Sequence, residues 1–440
     1  MALWPELLRQ HLDRPVAVLG WGVSGQAAAD AVRAAGGHVL AYDALGHDDA
    51  STEFTEATAV RHRLVVFSPG FPPDHAWLAA ARAQGCACLP EMDLGALLWP
   101  GALLAVTGTN GKTTLTEFLA HALRTAGTDA VACGNLGYPL SRLHSRARAE
   151  DTVAVCEVSS FQAETLQHLR PHALLWTNFD ADHLDRHGTL QAYFEAKWRL
   201  VGLLRRPRLV VGSTVAAFAK QQGRKLPAFG VVAGADAHRD SLPPGCELDV
   251  GPQRENWALA STYWQMEGIA AEALPQAAET FRVPPHRLHM AGIVNGVAYW
   301  NDSKATNFHA TLAGLQHFGH PLWWIGGGRA KGGDLAVFVE AILPSLKGAF
   351  LLGETAEAIA CLLKQAGIDA CVCGGMDEAV RGACERATAG DIVLLSPGFS
   401  SHDLFANYTE RGLAFEDAVE ALPSASGPME EGICKGGSGR

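Results

Sequence analysis

An α/β chain with mostly parallel sheets, laid out as three consecutive β/α blocks, is the fold class this sequence predicts. Short runs that are apolar throughout, such as Val16-Ala17-Val18-Leu19 and Leu103 to Val106, alternate with longer helix-compatible segments. Runs without a polar alternation read as strands buried on both faces, as in a parallel sheet. Polar, glycine-rich turns stand at the carboxyl ends of those runs, where open parallel sheets form their ligand crevices. The 440 residues leave room for two to four domains, at about 100–200 residues each.

Composition sets the outer limits. With 48% hydrophobic and 18% charged residues, the chain can bury large cores. A formal charge of −11 argues against a nucleic-acid partner, which needs a basic face. A small anionic ligand needs only a local cradle. Glu6, Arg9, Asp13 and Arg14 interrupt any apolar core near the start, so no signal peptide is expected. The longest apolar stretch, Leu94 to Val106, contains Pro100 and Gly101 and falls short of the about 20 residues that span a bilayer. No membrane partner is expected. Ten cysteines are scattered, with close pairs at Cys86/Cys88 and Cys371/Cys373 but no CxxC pair. Zinc is therefore not expected, and reduced thiols in the cytoplasm are.

The first block runs from about Arg14 to Trp99. The strand Val16 to Leu19 leads into Gly20-Trp21-Gly22-Val23-Ser24-Gly25 and an alanine-rich helix from Gln26 to Ala35. Val39 to Asp43 is a second strand ending in an acid, and Leu64 to Phe67 a third ending in Ser68-Pro69-Gly70. Gly20-x-Gly22-x-x-Gly25, with Asp43 about 20 residues on, fits the dinucleotide fingerprint. On pattern alone an NAD-dependent oxidoreductase is open. So is any other diphosphate at a helix N-terminus, or a plain tight turn.

The second block opens on Thr107-Gly108-Thr109-Asn110-Gly111-Lys112-Thr113-Thr114, between an apolar run and a helix predicted over Leu115 to Arg124. Strand, Gly-Lys-Thr loop and helix make a phosphate cradle: backbone N–H groups face the anion, the Lys reaches the terminal phosphates and the Thr hydroxyl suits Mg²⁺. The full pattern has a further glycine where Val106 stands. Further strands are predicted at Val153–Val158, Ala173–Trp176 and Leu209–Val211, and a helix from about Asn256 to Gly268 closes the block. Glu157, at a strand end beside the cradle, suits Mg²⁺. The polar string Thr177 to Gly188, with Asp180, Asp182, His183, Asp185 and His187, is a candidate metal site. Lys197 reads as an ordinary surface charge by composition.

The third block starts near Ala291. Strands are predicted at Val297–Trp300, Trp323–Ile325, Ala349–Leu352 and Ile392–Leu395, with a last helix from about Tyr408 to Leu422. Three strand ends carry the polar strings Asn301 to Asn307, Gly326 to Gly332 and Ser396 to Asp403, and these define one crevice suited to carboxylates. The tail from Ser424 is polar and glycine-rich, hence expected to be mobile.

Taken in order, these strings resemble the Mur ligase family over nearly the whole chain. Gly108 to Thr114, Glu157-Val-Ser-Ser-Phe-Gln162, Asp182-His183-Leu-Asp185-Arg186 with Lys197, Asn301-Asp-Ser-Lys-Ala-Thr-Asn307 and Ser396-Pro397 carry the resemblance. It implies three domains: a Rossmann-like UDP-binding domain over 1–99, a central P-loop-type ATPase over 100–290 and a C-terminal Rossmann-like amino-acid-binding domain over 291–440. It implies ATP-dependent addition of D-glutamate to UDP-N-acetylmuramoyl-L-alanine through an acyl phosphate, as a step of peptidoglycan precursor synthesis. A sibling ligase for L-glutamate or another amino acid is the alternative. An NAD-dependent oxidoreductase is weaker, because it leaves the Gly-Lys-Thr loop unexplained. Folylpolyglutamate synthase would lack the first block. A silent nucleotide-binding protein would not need Lys112, Glu157, His183 and Lys197 together.

The resemblance also assigns residues. ATP is implied at Gly108, Thr109, Asn110, Gly111, Lys112, Thr113 and Thr114, and at Asn256, Arg287, Asp302 and Lys304. The UDP-substrate is implied at Gly22, Val23, Ser24, Gly25, Asp43, Ser68, Pro69, Gly70, Asn135 and Ser159. Glutamate is implied at Thr306, Lys331, Ser401 and Tyr408. Two Mg²⁺ ions are implied, one at Thr113 and Glu157, the second at His183 and at Lys197 carried as a carbamate. Lys112, His183 and Lys197 are the implied catalytic residues. The string Gln253-Arg254-Glu255-Asn256-Trp257 departs from the His-Asn-x-x-Asn common in the family, and Tyr408 and His402 replace a common Phe and a common apolar residue. A cytoplasmic monomer that closes its domains on its ligands is expected.

Overall fold

The apolar runs become strands of three sheets in a computed structural model that describes residues 5–234 and 238–423. The first sheet holds β1 (Val16–Leu19), β2 (Val39–Tyr42), β3 (Ala50–Ser51), β4 (Leu64–Phe67) and β5 (Ala87–Pro90), all parallel, in the order β3-β2-β1-β4-β5. Every residue of β1 and β4 is buried, as their unbroken apolar runs require. The strand order reverses between β1 and β4, so the loops after them share one crevice. The helix Val23–Ala34 begins at the fingerprint itself, three residues before the predicted start. A Cβ at Gly25 would collide with the Gly20 carbonyl oxygen, so glycine alone lets this helix pack so close to the turn.

The second sheet holds β6 (Ala102–Thr107), β7 (Ala130–Gly134), β8 (Val153–Glu157), β9 (Ala173–Trp176), β10 (Leu209–Gly212) and β11 (Gly230–Ala233). They are all parallel, in the order β11-β10-β9-β6-β8-β7. Helices Lys112–Thr125, Gly251–Glu267 and Ala273–Thr280 cover one face, and Leu190–Gly202 packs in the core of the other. β6 lies between β8 and β9, so the chain after β6 emerges beside the ends of both.

The helix Glu91–Leu98 leads from the first sheet to the second and carries two buried carboxylates. Glu91 Oε1 accepts from Ser141 N at 2.8 Å. Asp93 accepts the backbone N–H groups of Gln167, His168 and Leu169 at 2.7, 2.9 and 2.8 Å. Both sheets fall in one compact unit that ends at Pro284, and a second begins at Pro285. Burial pushes the Glu91 carboxyl above its usual range, against the pull of the Ser141 hydrogen bonds. From the usual carboxylate range up to that raised value, the unfolded chain ionises while the folded one stays protonated. Stability therefore falls as pH rises through this window. Glu91→Gln keeps the acceptor and removes the charge. It is expected to raise the melting temperature at pH 8 by about 2–4 °C, with the gain vanishing toward pH 4. A gain of equal size at both pH values would contradict the titration account.

The third sheet holds β12 (His289–Val294), β13 (Val297–Asn301), β14 (Leu322–Gly327), β15 (Leu346–Leu352), β16 (Asp369–Val372) and β17 (Ile392–Leu395). Their order is β12-β13-β17-β14-β15-β16, with β12 antiparallel to β13 and the rest parallel. Asn295 and Gly296 turn the β12–β13 hairpin with φ of 52° and 78°, the positive values a two-residue hairpin turn needs. The tail from Ser424 lies outside the described residues. Among those described, no helix is long and apolar enough to cross a membrane.

Candidate active site

β6 ends at Thr107, and the helix Lys112–Thr125 begins right after Gly111, which has φ 79°. The anion-favouring helix N-terminus therefore lies within the loop, three residues earlier than predicted. Lys112 Nζ donates to the Gly108 and Thr109 carbonyl oxygens at 3.0 and 2.7 Å, so the ammonium is folded over the loop. The end of β9 moulds the turn: Asn110 N donates to Asn178 Oδ1 at 2.8 Å, and Thr177 Oγ1 donates to Asn110 O at 2.5 Å. A Cβ at Gly108 would collide with the Thr177 hydroxyl. Asn256 arrives from the helix Gly251–Glu267, and its Oδ1 lies 2.7 Å from where a Gly111 Cβ would stand. The altered string around Asn256 thus still delivers an amide to the cradle. Thr114 is fully buried, with its hydroxyl turned into the core.

Glu157 ends β8 and is only 2% exposed. Thr113 Oγ1 donates to Glu157 Oε2 at 2.6 Å, and Asn135 Nδ2 donates to Oε1 at 3.0 Å. A hydroxyl and a carboxylate beside a phosphate cradle fit Mg²⁺, which prefers hard oxygens. Among the described residues no three His, Cys, Asp or Glu side chains cluster as a cage.

Lys197 corrects the composition-based expectation of a surface charge. On the helix Leu190–Gly202 it is 1% exposed. Its Nζ donates to Gly108 O at 2.8 Å and to Thr107 Oγ1 at 3.5 Å, and lies 4.9 Å over the Tyr193 ring. Burial, helped by the Lys112 charge, holds its pKa well below the usual lysine value, against the pull of Asp182 and Glu157. His183 begins the short turn Leu184–His187 with φ 53°, and its Nε2 lies 3.6 Å from Asp182 Oδ2. Its ring is 6.3 Å from that of Tyr193. Tyr193 thus borders both His183 and Lys197, with its hydroxyl 3.3 Å from Thr109 Oγ1. Sequence reasoning passed over Tyr193, although it stands four residues before Lys197, one helical turn away.

In the first sheet, the loops after β1 and β4 meet as the strand order requires. Ser68 Oγ donates to Gly20 O at 3.1 Å. Open space adjoins Gly22 and Gly70. Asp43 Oδ2 accepts from Trp21 N at 2.6 Å and Oδ1 from Leu45 N at 2.8 Å. Burial works to raise the Asp43 pKa, but these backbone bonds outweigh it and hold the carboxyl below its usual range. The acid that completes the fingerprint thus helps to shape the turn. Ser159 caps the helix Ser160–Ala163, accepting from Gln162 N at 3.2 Å.

In the second unit β13, β17 and β14 are neighbours, so their three polar loops lie side by side. Arg329 and Ser400 exchange backbone hydrogen bonds at 2.9 and 3.1 Å. Buried Arg411 donates to Ser303 Oγ, Ser303 O and Phe399 O at 3.1, 2.8 and 3.1 Å, tying two loops together. Lys304 Nζ lies 3.7 Å over the Tyr408 ring. Lys331 Nζ donates to Thr306 Oγ1 at 3.3 Å, and Ser401 is buried nearby in sequence to the Ser400 bridge. Tyr408 is the first residue of the helix Tyr408–Glu420, which Asn407 caps. Asp302 accepts from Ser396 Oγ at 2.9 Å; its enclosure pushes the carboxyl up to about 7, against Ser396 and the Arg287 charge. Arg287 lies in the same unit.

A family model described as the Mur ligase middle domain matches residues 106–242, and one described as the Mur ligase glutamate ligase domain matches residues 286–399. The UDP-N-acetylmuramoylalanine--D-glutamate ligase of Gloeobacter violaceus is 36% identical, over 93% of this chain and 99% of its own length. The chain belongs to the Mur ligase family. The enzyme of the same name from Koribacter versatilis is 32% identical over 92% of this chain and 97% of its own. Two Mur ligases of Thermotoga maritima share the fold. UDP-N-acetylmuramate-alanine ligase MurC aligns with TM-score 0.59 at 16% identity, over 92% of this chain and 99% of its own. MurF, solved in complex with ADP, aligns with TM-score 0.55 at 17% identity, over 82% and 99%. Membership in the Mur ligases sets aside the oxidoreductase reading of the first fingerprint.

Proposed function

We propose that this Mur ligase joins D-glutamate to UDP-N-acetylmuramoyl-L-alanine at the expense of ATP, as a step of peptidoglycan precursor synthesis. The relatives named for that reaction support it along nearly the whole chain. The convergence of Lys112, the Thr113–Glu157 pair and buried Lys197 on one phosphate loop carries it. Carboxylate and amine do not condense in water, because hydroxide is a poor leaving group. The alanyl carboxylate instead attacks the γ-phosphorus of ATP, ADP departs and an acyl phosphate forms. The glutamate amine then attacks the acyl carbon, and phosphate leaves with the bonding electrons. Lys112 offsets charge on the phosphoryl group in transit. Mg²⁺ at Thr113 and Glu157, with a second ion at His183 and Lys197, would supply further positive charge. Burial lowers the Lys197 pKa and so favours its neutral form, and that amine can add to CO₂ and, losing a proton, become a carbamate, which turns a cation into an oxygen ligand.

On this reading the open space beside Gly22 and Gly70 takes the uridine diphosphate, with Val23, Ser24, Gly25, Ser68 and Pro69 around it. Asn135 and Ser159 serve the sugar-linked end. The enzyme works as a cytoplasmic monomer. The deciding assay is phosphate release from ATP with UDP-N-acetylmuramoyl-L-alanine and either D- or L-glutamate. Activity with D-glutamate supports the reading, and activity only with another amino acid refutes it.

Glutamate brings two carboxylates. Lys331 offers a charge beside Thr306, Ser401 a hydroxyl, and the N-terminus at Tyr408 a helix dipole. Lys331→Ala is expected to raise KM for glutamate about tenfold to a hundredfold, the loss of a charge-assisted hydrogen bond of about 1.5–3 kcal/mol. KM for the UDP-substrate should stay near the wild-type value. Equal losses for both substrates would place Lys331 elsewhere in the chemistry.

A further inference from the structure

The turn after β8 and the loop after β9 are joined by contacts that none of the assigned residues explains. Glu164 follows the helix Ser160–Ala163 and holds two side chains of the facing loop. Arg186 Nη2 donates to Glu164 Oε2 at 2.8 Å, and His187 Nδ1 lies 3.1 Å from Oε1. On its other side, His187 Nε2 lies 3.0 Å from Ser160 Oγ. Burial acts against the Glu164 charge, but His187 and Arg186 outweigh it and hold the carboxyl below its usual pKa. An ionised carboxylate only accepts, so Nδ1 carries the proton, and in the neutral ring Nε2 accepts from the Ser160 hydroxyl.

Aromatic contacts reinforce the joint. The Arg186 guanidinium lies 4.8 Å over Phe161, whose ring is 4.7 Å from His183 and 5.6 Å from His187. Ser, His and Glu stand here in the order of a nucleophilic triad. Yet Ser160 is 2% exposed, as is the His187 side chain, which closes the hydroxyl to substrate. A sealed, fully hydrogen-bonded trio holds geometry.

We propose that Glu164, His187 and Arg186 are positioning residues, whose clamp on Ser160 and Phe161 locks the turn carrying Ser159 to the loop carrying His183. The proposal rests on the reading of Ser159 as a UDP-substrate contact and His183 as a metal ligand. Substrate and metal contacts are then set by one joint. Loosening it weakens both and leaves the glutamate site alone.

Binding without turnover tests this. Mn²⁺ is titrated by electron paramagnetic resonance with a non-hydrolysable ATP analogue present, and UDP-N-acetylmuramoyl-L-alanine by calorimetry. Glu164→Gln and His187→Ala are each expected to weaken both by about tenfold or more, the usual effect of removing an outer partner of a metal ligand. His187→Gln, which retains a donor, should recover part of the loss. KM for glutamate and the melting temperature of Glu164→Gln should stay near wild type. Wild-type affinities for both ligands in folded Glu164→Gln overturn the proposal, and that nearly isosteric variant decides the matter if His187→Ala fails to fold. Should His183→Ala bind Mn²⁺ like wild type, the metal reading falls. UDP-substrate affinity then decides the clamp: a tenfold loss in Glu164→Gln sustains it, and no loss overturns it.

Discussion

Replacing Lys112 with alanine is expected to abolish ATP-dependent phosphate release while the protein stays folded. The side chain donates to the Gly108 and Thr109 carbonyl oxygens of the loop at 3.0 and 2.7 Å. No other loop residue from Gly108 to Thr114 carries a positive charge. A loss of about a thousandfold or more in kcat corresponds to about 4 kcal/mol of transition-state stabilisation. Phosphate release and circular dichroism on the same sample check the two halves of this statement. Turnover near wild type in a folded Lys112→Ala protein would end the assignment of the loop.

Lys197→Ala should be nearly inactive and partly rescued by a small carboxylate such as acetate. An ammonium cannot add to CO₂, whereas a neutral amine can. Burial supplies that form by holding the Lys197 pKa well below its usual value. The nitrogen bonds to carbon, a proton leaves and a carboxylate-like group results. Acetate in the space left by the lysine side chain would restore an oxygen ligand without the covalent link. Labelling with ¹³CO₂ should give one carbamate resonance in the wild type and none in Lys197→Ala. Full activity with an unmodified Lys197 would refute the carbamate.

The sequence reading located every interior strand and missed every edge strand. The unpredicted strands are β3 and β5, β7 and β11, and β12 and β16, and each pair forms the two edges of one sheet. Interior strands are covered on both faces and must be apolar throughout, so β1 and β4 declare themselves. Edge strands are only partly covered: β11 exposes Val231 and Val232, and β16 exposes Asp369 and Val372. Their short mixed runs carry no comparable pattern. The β12–β13 hairpin did leave a signal, Asn295-Gly296 between two runs, which the parallel-sheet expectation obscured.

The amino-acid sequence by itself determined the phosphate loop, the acid at the end of β8 and the family. These rest on local order: a strand, glycines where the turn needs them, and a lysine that begins the helix. Tertiary structure alone decided what the distant residues do. Lys197 looks like any helical lysine until strand order sets its helix against the loop and buries its amine, which lowers its pKa. Asp43 is only the acid at a strand end until the fold sets its carboxylate against the backbone N–H of Trp21. Glu164 and His187 are ordinary polar residues until β8 and β9 bring their loops face to face. Spacing along a chain encodes short-range geometry, whereas burial and charge pairing depend on neighbours that only the folded chain supplies.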